Sequence, residues 1–103
     1  GAVKTTVDGI EFDSKAEARR HSELKLLVHA GKIKNLERQV RYDLDVNGVR
    51  IGFYKADFRY WDQASNQQIL EDVKGVRTPV FAIKAKLMKA LHRVEIVEIG
   101  RAR

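Results

Sequence analysis

Between Gln39 and Val46 apolar and polar residues alternate, with Val40, Tyr42, Leu44 and Val46 sharing one side of the pattern. A two-residue period is that of a half-buried strand. Asn47-Gly48 follows directly and suits the two positive-φ positions of a type I′ turn. The pattern therefore predicts a long hairpin whose second arm runs from Val49 to Trp61. A smaller hairpin is predicted at the amino terminus, where Val3 to Val7 and Ile10 to Phe12 flank Asp8-Gly9.

Two helices are predicted from their end signals. Ser14 and Glu17 make the S-x-x-E capping box. That helix should run to about Ala30, with Ala16, Leu24, Leu27 and Val28 inward and Gly31 at C′. Lys32 to Leu36 reads as a connector to the long hairpin. Asp62 to Asn66 reads as a polar turn, and Gln68 to Lys74 as the next strand. Thr78-Pro79 supplies an N-cap and a proline at N1 for a second helix to about Leu91. Val94 to Ile99 is predicted as a last strand, and Arg101-Ala102-Arg103 as a basic tail. The element order is α-β-β-β-α-β after a small hairpin, an α/β (α+β) class.

Composition narrows the setting. The 103 residues suit one domain, with 44% hydrophobic and 33% charged residues indicating a globular chain. No apolar run approaches ~20 residues, so no membrane-spanning helix is expected. The first residues, Gly1 to Thr6, lack the apolar region of a signal peptide. Cysteine is absent, which removes disulfides, thiolate zinc sites and cysteine nucleophiles. A cytoplasmic location is the simplest expectation. The formal net charge of +6 favours a polyanionic partner, above all nucleic acid.

Within this basic chain one acidic cluster stands out, Glu71-Asp72-Val73-Lys74-Gly75 at the end of the run Gln68-Ile69-Leu70. In a strand, residues i and i+2 share a face, so Asp72 and Lys74 would lie side by side. Asp57 ends a similar run one strand earlier. If the strands pair, two carboxylates and a lysine converge. Magnesium needs only one or two protein carboxylates beside substrate oxygens, and the Val73 carbonyl offers a further ligand. Strand parity turns Glu71 to the opposite face, toward a basic partner. His21, His29 and His92 lack metal-ligand spacing. Tyr54, Tyr60 and Trp61 read as core residues, any exposed one being able to stack on an unpaired base.

Asp57, a turn, then Asp72-Val73-Lys74 resembles the PD-(D/E)XK signature of restriction-endonuclease-like nucleases. Phe12-Asp13-Ser14-Lys15-Ala16-Glu17-Ala18 resembles their first-helix motif. Together with Gly31-Lys32-Ile33, Ala56-Asp57-Phe58 and Glu71 to Gly75, it is similar to a phage-associated family of small endonucleases akin to Holliday-junction resolvases. The similarity covers residues 7 to 99. The family's proline before the first aspartate is Ala56 here. The resemblance implies a mixed sheet flanked by helices, forming a single nuclease domain over residues 1–103. It implies metal-dependent DNA endonuclease activity on branched or recombination-type DNA, with Mg2+ or Mn2+ and no organic cofactor. Asp57, Asp72, Val73 and Glu17 would be metal ligands, and Asp57, Asp72, Lys74 and Glu17 the catalytic set. A homodimer in the cytoplasm of a bacterial host, if the gene is phage-borne, is implied too.

Lys84 and Lys86 correspond to basic residues on the family's second core helix. Lys15, Arg19, Arg20 and Arg77 are expected to contact phosphate. Bland readings stand beside these: Asp72–Lys74 as a surface ion pair, Glu17 as a helix cap alone, the arginines as a solvated face. The rival functions are a non-catalytic nucleic-acid-binding module and a structural subunit of a phage complex.

Overall fold

The computed structural model describes residues 3–100; Gly1, Ala2 and the basic tail Arg101-Ala102-Arg103 lie outside the described residues. In chain order the elements are β1 (Thr5–Val7), β2 (Ile10–Phe12), α1 (Lys15–His29), β3 (Ile33–Val46), β4 (Val49–Asp62), β5 (Gln67–Val73), α2 (Pro79–His92) and β6 (Ile96–Ile99). β1 and β2 form a two-stranded sheet, and β3-β4-β5-β6 a four-stranded one. The β3–β4 and β4–β5 pairs are antiparallel and β5–β6 is parallel. The fold is thus mixed α+β, as its element order foretells. Among the described residues no helix is long and apolar enough to cross a membrane.

The predicted start signals operate as read. Ser14 Oγ accepts from the Glu17 N–H at 3.1 Å, and Thr78 Oγ1 from the Phe81 N–H at 3.1 Å. Each satisfies one orphan donor of its helix. Asn47 and Gly48 take φ of 51° and 80°, the left-handed pair that a two-residue hairpin loop requires.

Two expectations are corrected. The stretch read as a connector, Lys32 to Leu36, joins β3 from Ile33 onward. Its strand pattern is masked because Asn35 has φ 58° and the register shifts between Lys34 and Glu37. On α1, Ala16 and Val28 are exposed, while Glu17, Ala18, His21 and Leu24 are buried. His21 fits inside because its ring stacks on Phe58 at 5.8 Å between centroids and tilts against Phe12 at 5.1 Å. Burial, with Arg38 and Lys25 nearby, pushes its pKa down and keeps the neutral ring favoured.

Each face of the larger sheet carries its own core. Leu44, Tyr54, Ala56 and Leu70 pack with Phe81 and Met88 of α2. Ile33, Phe58 and Tyr60 pack with Leu24 of α1. Ala56 and Phe58 are both fully buried, yet they belong to opposite cores. Strand alternation would put them on one face. The hairpin therefore changes face between them, at Asp57 and its cross-strand neighbour Gln39, whose φ is 53°. The ladder skips this position, passing from Arg38–Phe58 to Val40–Ala56.

Candidate active site

The irregularity in the hairpin places the first acid. Asp57 occupies the point where β4 changes face, and the β4–β5 ladder stops beside it at the Phe58–Glu71 pair. Beyond that pair the Val73 N–H has no strand partner in β4. The Asp57 carboxylate takes its place and accepts it at 2.8 Å. Gln39 Nε2 donates to the other oxygen at 3.4 Å.

β5 supplies the next two groups. Asp72 is buried; its Oδ2 accepts from the Tyr54 hydroxyl at 2.6 Å, and its Oδ1 lies 3.2 Å from Lys74 Nζ. The expected same-face neighbourhood of Asp72 and Lys74 is therefore present. Lys74 is fixed at the strand end because its N–H donates to the Ile99 carbonyl of β6 at 3.1 Å. Its ammonium also rests 4.4 Å from the centroid of the Phe81 ring, a favourable cation–π placement.

α1 brings the third acid. The cap at Ser14 orients the first turn so that Glu17 points inward, where its carboxylate accepts from Gln39 Nε2 at 2.9 Å. Gln39 thus ties Glu17 to Asp57. The cap and the inward acid are both real features of Glu17, so neither reading excludes the other. Glu17, Asp57, Asp72, Val73 and Lys74 all line one cleft of about 600 Å³, with Gln39 and Lys55 on its wall.

Electrostatics in this cleft favour added positive charge. Burial, reinforced by Asp72 and Glu17, pushes Asp57 up to about 6. Glu17 is raised as well, by burial first and then by Asp13, with Arg38 and Gln39 opposing. Acids crowded in this way hold protons because repulsion and lost hydration penalise their anions. The Tyr54 phenol is raised well above its ordinary value by burial and by its bond to Asp72, so it stays a donor.

A family model described as protein of unknown function DUF1064 matches residues 1–101. The chain belongs to that family. Comparison with curated proteins and with solved structures found no significant match.

The remaining residues expected at the site of this DUF1064 protein divide. Lys84 lines a second pocket that adjoins the first, and its ammonium lies 5.2 Å from the Phe53 centroid. Lys86 is exposed but lines neither pocket. One residue separates the two lysines on α2, so they point to different sides of the helix. Lys15 and Arg19 are exposed and do not line the cleft. Arg77 pairs with Glu98 at 3.2 Å. Arg20 is held by protein partners on the α1 side of the sheet: its guanidinium grips Glu71 at 2.6 and 2.8 Å and Glu23 at 3.0 Å. Glu71 has the basic partner expected of it.

Sequence reasoning missed Gln39 and Lys55. Register arithmetic offered a signal for Gln39, since counting back from the Asn47-Gly48 turn sets it within one residue of Asp57. Lys55 lies two residues before Asp57 and inherits its placement from the same strand. Tyr54 was expected as core, and its ring is buried there, but its hydroxyl serves Asp72.

Whether these residues suit a divalent cation is a matter of donor type and charge. The cleft offers carboxylate and carbonyl oxygens with no imidazole or thiolate, the donor set of magnesium or manganese. Among the described residues no three His, Cys, Asp or Glu side chains are grouped so as to hold a metal ion between them, so at most two carboxylates would serve one ion at a time. The arrangement fits an ion that keeps several waters of its own.

Proposed function

We propose that this DUF1064 protein is a divalent-cation-dependent nuclease that hydrolyses phosphodiester bonds in DNA, through a site of the restriction-endonuclease-like kind. One observation carries the reading. Asp57, Asp72 and Lys74, from two adjacent strands, meet Glu17 from α1 in a single open cleft of a chain with net charge +6. The basic surface attracts the phosphate backbone, while the local acids hold a cation.

Asp57, Asp72 and the Val73 carbonyl would hold the ion, with Glu17 beside them in the cleft. Bound there, Mg2+ or Mn2+ neutralises phosphate charge and makes water easier to deprotonate. The chain's own groups do the rest. Tyr54 fixes the rotation of Asp72 by donating to Oδ2, leaving Oδ1 toward Lys74. Lys74, as ammonium, donates to a non-bridging phosphate oxygen and stabilises charge that grows there. Asp57 must be ionised to serve, and in the cation-free site it holds its proton up to about 6, so cation binding should tighten as pH rises through that value. Branched or recombination-type DNA is the substrate that the resemblance implies. A homodimer would bring two clefts to such a substrate.

The test is cleavage of labelled four-way-junction, flap, single-stranded and duplex DNA with and without Mg2+ or Mn2+. Cation-dependent cutting that disappears in Asp57→Asn, Asp72→Asn and Lys74→Ala is the expected result. Full activity in any of these variants overturns the assignment.

A second reading, a nucleic-acid-binding module without catalysis, is favoured by the satisfied state of the acids. Every oxygen of Asp57 and Asp72 already has a protein partner. This reading requires binding that is steeply salt-dependent, indifferent to divalent cations and unchanged in the three variants.

A further inference from the structure

The cleft does not stop at the carboxylates. Its second arm, about 280 Å³, shares Lys55, Asp72 and Lys74 with the first and continues past Phe53 to Val80 and Lys84. This arm opens because β5 leaves β4 early. β5 pairs with β4 only from Phe58 to Asp62, so the part of β4 before Asp57 has no strand beside it on that edge. The N-terminal half of α2 stands there instead.

Phe53 is the aromatic that this gap leaves accessible. Its residue is 40% exposed, whereas Tyr54 and Tyr60, which the sequence offered for stacking, are buried with their hydroxyls on acids. Cations surround the ring: the Arg41 guanidinium carbon lies 4.0 Å from its centroid and the Lys84 ammonium 5.2 Å. Among the described residues neither Lys55 nor Lys84 has a carboxylate partner. A part-exposed aromatic ring with Arg41 laid against it and unneutralised lysines beside it matches the pattern that binds single-stranded nucleic acid, where bases stack and the backbone follows the charge.

We propose that the second arm is a subsite for an unpaired nucleotide next to the scissile phosphate, with Phe53 as its stacking platform and Lys84 and Lys55 as phosphate contacts. The substrate class follows: DNA with a single-stranded segment at the cut, such as a flap or an opened branch point, in preference to continuous duplex. The proposal rests on the nuclease reading for the position of the scissile phosphate. A base held in a duplex cannot reach Phe53 without unstacking, and that cost sets the preference.

The experiment uses the full chain with oligonucleotides that carry 2-aminopurine in a single-stranded overhang or in a blunt duplex. Fluorescence is read with Ca2+ and cleavage with Mg2+. For the wild-type protein the overhang probe should be quenched and the overhang cut faster than the blunt duplex. Phe53→Ala should abolish the quench and lower the overhang-to-blunt ratio at least about five-fold, the low end of the stacking contribution per base. Phe53→Tyr should keep both. Lys84→Ala, which leaves the ring in place, should weaken overhang binding and flatten its salt dependence.

Wild-type and Phe53→Ala proteins that cut with the same overhang-to-blunt ratio overturn the subsite and leave the nuclease reading standing. A Phe53-dependent quench without cleavage of any substrate keeps the subsite and overturns the nuclease reading. Equal quenching in overhang and duplex overturns the preference for unpaired DNA.

Discussion

Glu71 and Asp72 are adjacent acids on β5, with exposures of 1% and 4%. Glu71 faces α1, where both its oxygens meet the Arg20 guanidinium and one also accepts from the Tyr60 hydroxyl. Asp72 faces the α2 side, where one oxygen accepts from the Tyr54 hydroxyl and the other meets a single lysine, Lys74, at the cleft. The partners differ in kind. A planar guanidinium held in two bonds under a helix saturates a carboxylate, and the pair is a fixed piece of the core. A lysine on a flexible stem at a cleft edge can yield to an incoming cation or phosphate. Asp72 also repels Asp57 and helps raise its pKa. Burial alone therefore does not separate the acid locked into the core from the one proposed to work at the cleft. What separates them is whether the countercharge is locked in place and whether water reaches the site.

The strongest way to break this comparison is to neutralise each acid in turn. Asp72→Asn should lower DNA cleavage by about 1,000-fold, equivalent to about 4 kcal/mol of transition-state stabilisation, with a melting temperature close to that of the wild type. Glu71→Gln should do the reverse. Leaving Arg20 with only the exposed Glu23 as its anion should cost about 3 kcal/mol of stability by denaturant unfolding, with activity per folded molecule retained. If the two variants exchange these phenotypes, the division of labour is wrong.

Asp57 sharpens the point, because a working acid should weaken the resting fold. Its folded value of about 6 lies above the ordinary 3.8, so the folded protein binds that proton more tightly than the unfolded chain does. The stability it contributes is complete below about pH 3.8 and is lost as pH rises through about 6. Asp57→Asn should then be more stable than wild type at pH 7.5 in chelator by about 3 kcal/mol, and no more stable at pH 3.5. Thermal melts across this range give the difference directly; a gap that ignores pH would rule out Asp57 as the titrating group.

The smallest contrast lies in the two tyrosines. Tyr60→Phe should lose about 1 kcal/mol of stability, as the deletion of one hydrogen bond to a buried acid, without altering the pH profile of cleavage. Tyr54→Phe should cost a similar amount but also displace that profile, because its hydroxyl serves an acid in the cleft. Identical pH profiles for wild type and Tyr54→Phe would leave Tyr54 a packing residue.

Much of the fold was legible because its signals are local. Ser14 and Thr78 cap the helices, and Asp8-Gly9 and Asn47-Gly48 turn the hairpins, through chemistry confined to a few residues. The convergence of Asp57, Asp72, Lys74 and Glu17 was legible too, since it needs only antiparallel pairing of β4 with β5 and an inward first turn of α1. The inner stripe of α1 was misread because Glu17 and His21, polar by composition, occupy buried positions that apolar residues usually take. The Arg20–Glu71 pair was not legible, because charge alone does not reveal which face of a helix meets a buried glutamate. Gln39 escaped notice because its left-handed backbone and the change of face at Asp57 break the alternation that strand reading relies on.

The two-residue turn at Asn47-Gly48 also orders the assembly of the molecule in time. It joins strands of fourteen residues each, so β3 and β4 meet through contacts that start close in sequence and close on the microsecond scale of hairpins. Asp57 and Gln39 are then already side by side. Glu17 and Lys74 arrive from opposite ends of the chain, Lys74 only after α2 has crossed over to let β6 pair in parallel with β5. The convergence of the cleft residues is thus completed last, and under the proposed nuclease reading cleavage would report completion of the native state more strictly than secondary structure does.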